Sequence, residues 1–77
     1  IYLSDVNGSI KVFSVTSGFV EPQRSIALPE ANAARRKAEI PSGLTLSNDD
    51  KRLYVCGNLS NQVFEIDLAT DLVLRKW

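Results

Sequence analysis

The sequence predicts an all-β fold built from antiparallel four-stranded units, the first incomplete, with about seven strands in all. Three observations predict it. Short apolar stretches alternate with turn residues at both ends of the chain. The opening stretch is echoed some fifty residues later. Hydrophobic content of 44% suits a folded chain and is too high for a disordered one.

The echo is explicit at residue level. IYLSDVNGSIKVFSV opens the chain, and RLYVCGNLSNQVFEID occupies residues 52–67. Tyr2 aligns with Tyr54, 52 positions on, and Val12 with Glu65, 53 positions on, so the loop between the two blocks gains one residue. In the first unit the strands are read at residues 1–4 and 10–15, with a weaker one within 19–28. Pro22 lies inside that last segment and demands an edge position or a break, because proline has no N–H for a ladder. In the second unit Pro41-Ser42-Gly43 is read as a breaker ahead of a strand at 44–46. Ser47-Asn48-Asp49-Asp50 is a turn, since short polar side chains bond neighbouring backbone there. Strands at 52–56 and 63–68 flank the hairpin loop 57–61, and 67–71 turns the chain into a last strand at 72–77.

The strands at 10–15 and 63–68 carry large apolar groups on both faces, so each expects cover on two sides. A four-stranded antiparallel sheet covered on both faces is the situation of one blade between two others in a β-propeller. Residues 1–28 then form a partial blade lacking its innermost strand, 29–41 a connector or insertion, and 42–77 one full blade. Within the connector, residues 31–39 are good helix formers bounded by Pro29 and Pro41, which predicts a short helical turn or a mobile insertion on the rim. Without that insertion the repeat shrinks to roughly 42 residues, inside the 40 to 45 typical of propeller blades.

The second unit resembles a YVTN-type β-propeller repeat, a WD40-like architecture. The residues that carry the resemblance are Pro41, Gly43, Leu44, Leu46, Ser47, Asp49, Lys51, Leu53, Tyr54, Val55, Val63, Ile66 and Asp67. It covers residues 40–77 well and 1–20 more loosely, and leaves the connector out. Asn48 stands where the family tends to have Pro, Asp50 where it has Gly, and Gly57 at its usual Asn position. The resemblance implies strands at 44–47, 52–57, 62–68 and 72–77, innermost to outermost. It also implies a fragment of a larger propeller, since four to eight blades are needed to close one. The function expected from it is a binding or interaction scaffold, with no catalysis by these residues. The alternative is a piece of the propeller domain of a secreted bacterial phosphoesterase or other hydrolase, whose metal ligands and nucleophile lie outside this chain. The resemblance leans towards a periplasmic or extracellular location.

Composition narrows the chemistry. There is one cysteine and no histidine, so an internal disulfide and a Cys/His zinc site are both excluded on ligand count. Nine basic and nine acidic residues cancel, which gives no pull towards nucleic acid. No apolar run is long enough to cross a bilayer as a helix. The sequence calls for no cofactor. Asp49 and Asp50 are read as turn residues, Asp67 as a cap of the turn that follows it, and Cys56 as a small packed hydrophobe, since no base is at hand to activate it. Tyr54 and Trp77 sit at strand positions where packing is the default.

Arg35-Arg36-Lys37, flanked by Glu30 and Glu39, reads as a solvated loop. Strand alternation puts the loops 5–9 and 57–61 on the same side as 31–39. That shared side defines the expected partner surface: Asp5, Asn7, Arg35, Arg36, Lys37, Asn58 and Asn61. The partners expected are further blades of the same polypeptide or another copy of the chain, together with a protein or small molecule of unspecified identity.

Overall fold

The computed structural model describes residues 1–31 and 33–77. Seven strands follow in chain order: β1 Tyr2–Asp5, β2 Ser9–Thr16, β3 Phe19–Ala27, β4 Pro41–Leu46, β5 Arg52–Gly57, β6 Gln62–Asp67 and β7 Leu72–Lys76. They form two antiparallel sheets, a three-stranded one in the order β1-β2-β3 and a four-stranded one in the order β4-β5-β6-β7. The fold is all-β, as expected, and no helix occurs among the described residues. The ladders also agree across the sheets. Tyr2 faces Val12 in the first sheet, and Tyr54 faces Glu65 in the second.

One hydrophobic core joins the sheets. Ile10, Val12 and Ile26 from the first meet Leu53, Val55, Phe64 and Ile66 from the second, with Leu28 closing the edge. Alternation decides which residues take part, because successive side chains of a strand point to opposite faces. On β2 it is Ile10 and Val12 that enter this core; on β6 it is Phe64 and Ile66. The sequence echo matches Val12 with Glu65 and Phe13 with Ile66, so of each matching pair one side chain enters the shared core and the other points away from it. The two sheets therefore stack facing the same way, the inner face of one against the other kind of face of its neighbour. Arg24 on β3 reaches across to Asp71 in the β6–β7 turn, with Nε 2.7 Å and Nη2 3.1 Å from the two carboxylate oxygens.

Several boundaries differ from the sequence reading, each for a physical reason. Pro41, Ser42 and Gly43 are not a breaker ahead of the strand but its first half, paired with β5 through an irregular register between Pro41 and Leu44. Because β4 is an edge strand, the missing N–H of proline costs it no ladder bond on its open side. β3 is likewise an edge, and its pairing with β2 slips between Val12 and Phe13, which stands opposite Pro22. The two-residue turn between β2 and β3 has positive φ at both Ser17 (52°) and Gly18 (83°), the type I′ geometry whose twist suits a hairpin.

The connector is a correction too. Residues 33–40 form bends and extended chain rather than a helical turn. Too short to hold a helix alone, the segment satisfies its polar groups through long-range contacts instead. Position 32 lies outside the described residues.

Candidate recognition face

The face is built by the connector lying across two hairpin loops. From the first sheet, Gly8 accepts a backbone bond from Leu28 N–H (3.0 Å), and its α-carbon sits so close to Ala38 and Glu39 that an added Cβ would meet Glu39 N at 3.1 Å. With φ at 88°, Gly8 also occupies a backbone region that favours glycine. From the second sheet, Asn58 N–H donates to Ile40 O (2.8 Å). The shared side expected for loops 5–9 and 57–61 and for the connector is thus present as direct contact.

Glu39 is the fastener. Only 1% of it is exposed, and its Oε1 accepts three backbone N–H groups, those of Ile40 (3.1 Å), Leu59 (2.9 Å) and Ser60 (3.2 Å). The space is made by Gly57, where a Cβ would stand 2.7 Å from Glu39 Cδ and 2.6 Å from Phe64. Burial pushes the Glu39 carboxyl up. The Ser60 hydroxyl and the three N–H groups outweigh that and hold its pKa below the ordinary 4.5. Ser60 Oγ and Glu39 Oε2 do not meet in hydrogen-bond geometry, and both are buried without a partner among the described residues. The three N–H groups are therefore the firmer part of that balance. Nothing local in the sequence announced this residue, whose partners Leu59 and Ser60 lie about twenty positions further on.

The seven residues expected on this face fall into two groups. Arg36, though exposed, donates to Ala38 O (2.9 Å) and to Val6 O, so it ties the connector to the β1–β2 loop. Asp5 accepts from Asn7 N–H (2.9 Å) and lies 3.7 Å from Lys11, which makes it a turn residue. Asn58 accepts from the Ser42 hydroxyl (3.0 Å), and Asn61 adopts φ 56° at the end of its loop. Arg35 and Lys37 are exposed, as is Asn7. The solvated-loop reading therefore holds for Arg35, Arg36 and Lys37, all exposed, and fails for Glu39. Beside the face, Glu30, Ala31, Leu59, Ser60, Gln62 and Lys76 line a polar hollow of about 330 Å³.

Away from this face, the outer surface of the second sheet carries a cross-strand row of polar groups. Glu65, 6% exposed, stands opposite both Tyr54 and Arg75. Tyr54 OH donates to its Oε2 (3.1 Å), and this bond, followed by burial, holds the phenol above its ordinary pKa of 10.0. Arg75 Nε lies 3.0 Å from Oε1 as an ion pair without hydrogen-bond alignment. Cys56 shares this surface and is exposed, not packed, because Val55 takes the inward position beside it. Trp77, paired with Val63 in the neighbouring row, is 60% exposed, so packing is not its state here. Asp49 and Asp67 behave as read. Asp49 accepts from Ser47 OH (2.6 Å) and Lys51 N–H (3.1 Å), and Asp67 from Ala69 N–H (3.2 Å) and Thr70 OH (3.2 Å).

Among the described residues no group of three metal-ligating side chains gathers, and no helix is long and apolar enough to cross a membrane. Compared with family models, curated proteins and solved structures, the chain matches none.

Proposed function

We propose that this chain is a pair of neighbouring propeller-like blades, the first partial, and that it serves as an interaction scaffold. The observation that carries the reading is the stacking of the sheets. Of the equivalent positions Val12 and Glu65, the first enters the shared core and the second points away from it, which is how like units follow one another in a row. On that reading the outer face of the second sheet, with Tyr54, Cys56, Val63 and Trp77, is the place for the next unit. The outer face of the first sheet, with Leu3, Lys11 and Phe13, is the place for the previous one. Leu3 (52%), Val63 (37%) and Trp77 (60%) are large apolar groups left in water, which supports a covered state for both faces. The connector side, with Asp5, Asn7, Arg35, Arg36, Lys37, Asn58 and Asn61, is the proposed partner surface. There Arg36 and Glu39 fix the loops while Arg35 and Lys37 are free to meet a ligand.

The test is complementation between face variants. The free chain is expected to associate with rising concentration in analytical ultracentrifugation. Val63→Lys on one outer face and Leu3→Glu on the other should each cut that association. A mixture of the two variants should form a one-to-one pair, because each keeps the face that the other has lost. A wild-type chain that stays monomeric to millimolar concentration, or variants that fail to complement, would overturn the stacking reading.

A further inference from the structure

Asn7 is followed by glycine, as no other asparagine of the chain is, and the fold treats the two halves of that pair differently. Asn7 is exposed in the β1–β2 loop, whereas Gly8 is buried. Asparagine is a thermolabile residue, and its neighbour decides how labile. A following glycine has no Cβ to shield its amide nitrogen or restrain the backbone, so that nitrogen can reach the side-chain carbonyl carbon of the asparagine. Here the electrophile stands in water and the nucleophile lies under cover.

Several contacts hold that nitrogen back. Gly8 N–H donates to Asp5 O (3.0 Å) and Asn7 N–H to Asp5 Oδ1 (2.9 Å), which pins both peptide units of the turn. Gly8 O accepts from Leu28 N–H (3.0 Å). The connector closes over the top. Glu39 N and Ala38 Cβ stand 3.1 and 3.4 Å from where a Gly8 Cβ would be, and Arg36 holds Val6 O, one residue before the asparagine. An amide whose proton is bonded within a covered turn reacts only after local opening.

We infer that Asn7–Gly8 is a deamidation site latched shut by the connector, and that the modification, once made, keeps the latch from closing again. In the reaction Gly8 N loses its proton to hydroxide and bonds to Asn7 Cγ. The Cγ–Nδ2 bond breaks, and the side-chain nitrogen leaves as ammonia with a proton from water. The cyclic imide then takes up water at either of its two carbonyl carbons, which gives aspartate or its isomer linked through the side chain. The isomer adds a methylene to the main chain in a loop where Gly8 has no room to shift against Ala38 and Glu39. The site thereby records each opening of the connector permanently. This stands on loop geometry and does not require the propeller reading.

The experiment follows mass and peptide maps of the full chain in mildly alkaline buffer, beside the synthetic peptide of residues 4–11, SDVNGSIK. The peptide should convert fast and the native chain at least about tenfold more slowly, the protection that one covered hydrogen bond gives. Arg36→Ala frees Val6 O without touching the loop's own bonds, and should speed conversion of the chain by at least about threefold. Should that variant fold poorly, the parent chain in urea below its unfolding midpoint gives the same reading: conversion at Asn7 should rise before the amides of β2 lose protection. In the isomerised product, amide exchange at Leu28 should be faster than in the parent, its bond to Gly8 O being lost. Conversion of the native chain at the peptide's rate, no acceleration by Arg36→Ala or by urea, or an isomerised chain with parental exchange at Leu28 would each overturn the inference.

Discussion

The two rims of the sheet pair are held by different means. On the connector rim, a buried carboxylate and an arginine bind segments far apart in sequence: Glu39 to Leu59 and Ser60, Arg36 to Val6. On the opposite rim each turn is ordered mostly by its own residues, with Leu68 N–H to Lys51 O (3.0 Å) and Arg52 to Asp67 (3.1 Å) as links between neighbouring turns. Ser47 and Asp49 order the β4–β5 turn, Asp67 and Thr70 the β6–β7 turn, and Ser17-Gly18 the β2–β3 turn. The Arg24–Asp71 pair does tie that rim across the sheets, but both side chains are partly exposed, and such pairs contribute about 0–1 kcal/mol. Local turns survive the loss of their neighbours. A rim fastened by one buried acid stands or falls as a unit.

The sharpest way to break the contrast is Glu39→Ala. It strands three part-buried N–H groups at once, and the expected loss is about 2–4 kcal/mol, a large share of the stability of a chain this small. Chemical denaturation followed by tryptophan fluorescence at Trp77 reads it; a loss under about 1 kcal/mol would show the connector to be dispensable. Gly57→Ala attacks the same fastener from below, forcing a methyl group against Glu39 and Phe64, and should cost about 1–3 kcal/mol.

Acid should loosen the connector rim first. Glu39 has a folded-state pKa below its unfolded value, so the stabilisation it gives is complete above about pH 4.5 and is lost as pH falls through the folded pKa. Amide exchange at Leu59 and Ser60 should therefore rise below pH 4.5 before that of β2, and the Glu39→Gln variant should lose this dependence. The smallest effect belongs to the opposite rim. Asp50 has φ 59°, a left-handed conformation that glycine adopts without strain. Asp50→Gly should raise the unfolding midpoint slightly, by about 0.5 kcal/mol, a gain confined to one turn; a net loss would mean that its side chain does more than tolerate the turn.

How far the sequence could be read follows the same division. Strands and local turns were legible because their causes are local: short apolar stretches between turn residues placed β2, β5 and β6, and Asp49 and Asp67 act on residues two or three positions away. Alternation also carried the signal for Cys56, since an inward Val55 requires an outward neighbour. That signal lost to the general habit of cysteine to be buried. β4 starts three residues earlier than its composition suggests, because an edge strand tolerates what a central one cannot. The connector was the least legible part. Its helix formers point to a helix only when nothing else competes, and Glu39 finds partners that no local pattern reveals. Placing loops 5–9 and 57–61 beside the connector succeeded because it rested on strand direction alone.

Because the sheets follow one another facing the same way, the pair has a front and a back, and its two outer faces are different surfaces. On the stacking proposed above, addition at either end presents the same kind of surface one step further on, and the small rotation between successive sheets decides whether a row of them curls into a closed ring or runs on as a fibre.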